Sequence, residues 1–100
     1  MTETADETVY WDMVDTFIEQ ANELTDNAEP SMVSAAMLQA LARYSAFLVA
    51  NASVDRKEFT EEMESATSFL TNQFRDAVRD NLEDYRENYK VYMKVDDENQ

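Results

Sequence analysis

The chain has 100 residues, 22 acidic and 8 basic, for a net charge of −14, and it holds no His, Cys or Gly. Those absences exclude the Ser-His-Asp triad, imidazole and thiolate metal sites, iron–sulfur clusters, the phosphate-binding loop, the dinucleotide fingerprint and the EF-hand loop. The acidic field repels nucleic acid and anionic membranes and invites a basic protein.

Hydrophobic residues make up 44% of the chain and aromatic ones 11%, enough for a globular core. With no Gly and the single Pro30, tight turns are scarce and long helices are favoured. The expectation is one all-α domain over 1–100, with tails at 1–7 and 95–100 outside it. Cysteine is absent and the acidic start Met1–Asp6 has no apolar core, so the reading is a cytoplasmic protein without a signal peptide.

The first helix is expected from about Thr8 to Asp26. Tyr10, Met13, Val14, Phe17, Ala21 and Leu24 recur at helical spacing on one face. Asp12, Asp15, Glu19, Glu23 and Asp26 form a stripe within about 80° on the opposite face. Residues 1–29 hold nine acids and no base, so nothing nearby neutralises that stripe. Asp26–Pro30 is the first break, and Pro30 suits the first turn of the next helix.

The second helix, Pro30 to about Asn51, is apolar nearly all round, with Met32, Val33, Met37, Leu38, Leu41 and Phe47 among its residues. It is about as long as a membrane span, but Gln39 and Arg43 interrupt it. A helix without a polar face is expected to be buried on several sides, so this one is placed centrally, with no membrane contact. Asn51–Asp55 is the second break.

The third segment begins at Asp55, with Glu58 three residues on in a capping-box arrangement. Phe59, Met63, Ala66, Leu70, Phe74 and Ala77 line one face, and the apolar pattern then drifts by about 100° through Val78, Leu82, Tyr85, Tyr89 and Met93. Either one helix of about 57 Å runs on, or the chain bends near Asp80-Asn81 into a fourth helix from Asn81 to Lys94. The fold class expected is an all-α three-helix bundle, dimeric, with a long or bent third helix.

Candidate sites follow from charge and exposure. Pairs such as Asp12–Asp15 and Glu19–Glu23 could hold a cation or act as acid and base, but the outer face of an amphipathic helix more often carries solvated carboxylates. The whole stripe, Asp12 to Asp26, is instead a candidate interaction surface. Arg43, the sole charge in 30–54, would need a carboxylate or carbonyl partner if buried, would otherwise snorkel out to solvent, or would anchor an anionic ligand. Arg75, Arg79, Arg86 and Lys90 form a basic stripe within about 60°, opposite the Phe59–Ala77 face, able to meet the acidic stripe within or between chains. Tyr85, Tyr89 and Tyr92 lie where the shorter helices do not reach, which suits a subunit interface. No catalytic, cofactor or metal residue is assigned.

The run Glu29-Pro30-Ser31-Met32-Val33-Ser34-Ala35-Ala36-Met37, followed by Ala42-Arg43-Tyr44-Ser45-Ala46-Phe47, carries a family resemblance, as does Asp15-Thr16-Phe17-Ile18-Glu19-Gln20-Ala21-Asn22-Glu23 upstream. From about Tyr10 to Met93 the chain resembles the short bacterial proteins of domain of unknown function 3144. The resemblance implies a helical, cytoplasmic, bacterial protein and carries no activity or site. The function expected is a non-enzymatic acidic interaction or regulatory protein that meets a basic partner. The alternatives are a small-ligand carrier or carboxylate enzyme beside Arg43, and a structural subunit of an obligate oligomer.

Overall fold

The computed structural model describes the backbone of residues 2–94 and the side chains of residues 5–94. Four helices account for nearly all of it: α1 (Thr2–Leu24), α2 (Pro30–Ala52), α3 (Arg56–Glu87) and α4 (Tyr89–Met93). No strand occurs among the described residues, so the all-α class stands. The helices fall into two units, residues 1–51 and 52–100.

In the first unit, α1 starts at Thr2, six residues before the start expected at about Thr8. The segment 2–7 is therefore helical, which corrects the expected tail. Asp6 and Glu7 in its opening turns face the positive end of the helix dipole, where carboxylates are favoured. Near its end, Thr25 donates from Oγ1 to the Asn22 carbonyl (2.6 Å), one of the competing local bonds that close helices. The turn spans 25–29, and α2 begins on Pro30 as its fixed φ predicts. The Glu29 carbonyl receives the first bonds of α2, from the Met32 and Val33 amides (3.0 and 3.1 Å).

Val33, 5% exposed, is the one buried residue among those described. Val14, Ala21 and Ala28, spaced by seven, are half-buried, and so are Ser45 and Val49. The rest of the apolar surface is open: Phe17 is 67% exposed, and Leu38, Leu41, Tyr44 and Phe47 also stand in solvent. The expectation of a central, enclosed second helix is therefore corrected. Its composition demands cover, and among the described residues of α2 only Val33 is buried. By length and composition α2 also passes as a membrane span, a property that core helices of soluble proteins share.

In the second unit, the cap of α3 is as the spacing predicts. Asp55 is extended (φ −154°) and its Oδ1 accepts from the Glu58 amide at 2.9 Å. Glu58 returns the bond one residue further out, its Oε1 accepting from the Val54 amide at 2.6 Å. Lys57 and Glu61 form an exposed i,i+4 ion pair of 3.2 Å. Phe59, Ala66 and Leu70 are half-buried, and beyond Leu70 every described side chain is exposed.

Of the two courses left open at Asp80-Asn81, the chain takes the continuous one there: no bend occurs and α3 runs unbroken to Glu87. Asn81 folds its amide back onto the Ala77 carbonyl (2.8 Å), so it lies along the helix instead of opening it. The break comes at Asn88 (φ −119°, ψ 33°), and the short fourth helix is Tyr89–Met93 instead of Asn81–Lys94. It ends at Lys94 in the left-handed region (φ 54°). The tail expected at 95–100 lies outside the described residues.

Candidate interaction surfaces

Helix α1 presents Asp12, Asp15, Glu19 and Glu23 along one exposed face, as the spacing requires, while Asp26, also exposed, lies past the helix end in the 25–29 turn. None of these carboxylates has an ion pair or a hydrogen-bond donor among the described residues. Two apolar residues border the stripe. Trp11 (59% exposed) and Ile18 (48% exposed) are seven apart and lie about 90° round the helix from its centre. They stand off the Tyr10–Leu24 apolar face. Trp11 is met edge-on by Tyr10, with ring centroids 5.0 Å apart.

Arg43 takes the exposed course. It lies exposed on α2 with no carboxylate in range among the described residues. Among the described residues the guanidinium has none of the burial that would demand a partner. A buried ion pair at Arg43 is thus not formed among the described residues, and its exposure is what a side chain reaching out from an apolar helix gives.

The tyrosines near the chain's end are partly committed to one another. Asp84 organises them. Its Oδ1 accepts from the Asn88 amide (2.9 Å) and its Oδ2 from the Tyr92 hydroxyl (2.6 Å). Its carbonyl also receives the Asn88 backbone amide at 3.0 Å. The Tyr92 ring stacks on Tyr85 at 4.3 Å with 25° between planes. Together these contacts fold α4 back against the end of α3. The hydrogen bond to Asp84, and secondarily desolvation and the nearby charge, raise the Tyr92 pKa above the ordinary 10.0. Tyr89 takes no part in the stack and is exposed.

A shallow open groove runs along α3, with Phe74, Val78 and Leu82 as its apolar row. Arg75, Arg79 and Arg86 line one margin, with Glu83 beyond them. Arg75 rests on the Asn72 side-chain oxygen (3.0 Å) and Arg86 on Glu87 (3.1 Å). Arg79 has no ion pair or hydrogen bond among the described residues. The sequence reading found this basic stripe but set it opposite the Phe59–Ala77 face. The drift of the apolar pattern, visible in the same residues, was the signal for the groove. It carries Val78 and Leu82 round to the edge of the guanidinium stripe.

No curated protein and no solved structure matches the chain. A family model matches residues 10–86, a span that holds both the acidic stripe of α1 and the guanidinium groove of α3 but stops short of α4. The chain belongs to the family described as protein of unknown function (DUF3144).

Proposed function

We propose that this protein is a non-enzymatic, cytoplasmic interaction module whose helices are completed by another protein, with the acidic face of α1 meeting a basic surface. One observation carries the reading. Apolar residues of α1, α2 and α3 stand in solvent while only Val33 among the described residues is buried. Apolar patches of that extent mark interaction sites. The unpartnered carboxylates of α1 add the charge preference. A three-helix bundle is the packing that such faces favour once covered.

The test is retention of basic proteins from a native lysate at low and moderate salt, with helicity followed by circular dichroism. Salt-sensitive retention supports the reading. Failure to retain or self-associate at any salt, with helicity intact, overturns it. A second reading, a structural subunit of an obligate oligomer, is favoured by the same exposed faces and predicts sedimentation as an oligomer at micromolar concentration.

A further inference from the structure

We infer that the basic surface completing α1 is the groove of α3 on a second copy of this chain, with the two helices antiparallel. The inference rests on the reading above and names its partner.

Charge spacing is the first argument. Arg75, Arg79 and Arg86 are separated by four and then seven residues. Glu23, Glu19 and Asp12, taken in reverse, are also separated by four and then seven. Antiparallel helices of equal rise therefore bring Arg75 level with Glu23, Arg79 with Glu19 and Arg86 with Asp12.

The apolar rows agree with that register. On α3 the guanidinium stripe lies about 90° round the helix from the Phe74–Val78–Leu82 row. On α1 the acidic stripe lies about 90° from Trp11 and Ile18 in the same rotational sense. Equal senses place charge against charge and row against row only when the helices run antiparallel. Ile18 then falls between Val78 and Leu82. Asp15 and Glu83 come level too, but Asp15 sits on the inner margin of its stripe and Glu83 on the outer margin of the groove.

The partner must be a second chain. Short connections make consecutive helices antiparallel, so a first and third helix joined by two of them run parallel. The turns here are 25–29 and 53–55, so a chain closed on itself offers the wrong direction. A lipid surface suits the groove less, because the chain's net charge of −14 opposes approach to an anionic one.

The experiment uses two full-length variants. E19R/E23R makes both stripes basic, and R75E/R79E makes both acidic. Sedimentation equilibrium and circular dichroism are measured on each variant alone and on their equimolar mixture. The wild type is expected to be a dimer that weakens with salt. Each variant alone is expected to lose dimerisation by roughly a hundredfold or more in Kd, since opposed like charges are strongly disfavoured. The mixture is expected to recover a heterodimer. A variant that unfolds alone and regains helicity on mixing supports the proposal equally. It is overturned by a monomeric wild type, by variants that stay dimeric alone, or by a mixture that recovers neither dimer nor helicity. A monomeric wild type that still retains basic lysate proteins would overturn this inference and leave the interaction-module reading standing.

Discussion

The two units of the chain are both helical, yet they are supported differently. Residues 52–100 carry their own local polar supports: the Asp55–Glu58 cap, the Lys57–Glu61 pair and the Asp84–Asn88–Tyr92 network. Residues 1–51 have no side-chain ion pair among the described residues, and α2 offers solvent an almost unbroken apolar surface. Most of a helix's stability in a protein comes from packing its apolar face rather than from intrinsic propensity. The comparison teaches that the second unit is locally specified, whereas the first depends on what covers it.

Dilution should break that comparison most visibly. Taking the protein from about 100 µM to about 0.5 µM removes a partner by mass action. Amide exchange in α2 is expected to accelerate by orders of magnitude, while the first turns of α3 around the Asp55 cap change less. Uniform loss across both units, or none, would refute the distinction. A related expectation concerns the bilayer. Arg43 and Gln39 near the middle of α2 raise the cost of insertion, so the protein should stay in the aqueous fraction when floated with neutral vesicles.

How much was legible follows the same division. Pro30 at the start of α2 and Asp55 at the cap of α3 were readable because each acts on its own turn. The end of α3 was not. Asp80 and Glu83 have capping-box spacing, but Asn81 bonds back along the helix, and Asn88 closes it through Asp84, four residues earlier. For Arg43, composition says that α2 must be covered but not by what, so a buried arginine presumes an enclosure that composition alone does not specify, and Arg43 is exposed. The acidic stripe was legible from helical periodicity alone. The α3 groove was half legible, since the basic stripe and the drifting apolar row were both visible but were not joined.

A smaller effect sharpens the local side of the comparison. Asp55→Ala removes the acceptor for the Glu58 amide, and losing such a cap costs about 1 kcal/mol. Urea unfolding should shift by that amount, with faster exchange limited to the first turn of α3. A destabilisation spread equally over α1 and α2 would mean the cap supports more than its own helix.

The smallest effect lies at the other end of the same unit. The hydrogen bond from Tyr92 to the Asp84 carboxylate, with lesser help from desolvation, raises the hydroxyl's pKa above 10.0. The folded chain thus holds that proton more tightly than the unfolded chain. The contribution is complete below the ordinary tyrosine value and is lost as pH rises through the higher folded value. Absorbance at 295 nm should therefore show one of the five tyrosines ionising last. That late component should vanish in Tyr92→Phe, and in Asp84→Ala it should move back toward the ordinary value. Because the stack on Tyr85 depends on the same bond to place the ring, Asp84→Ala and Tyr92→Phe both remove that bond and should each weaken the near-ultraviolet dichroism of the pair. If both variants titrate like the wild type, the Asp84–Tyr92 bond does not hold α4 to α3 in solution, and the second unit would be less self-supporting than its contacts imply.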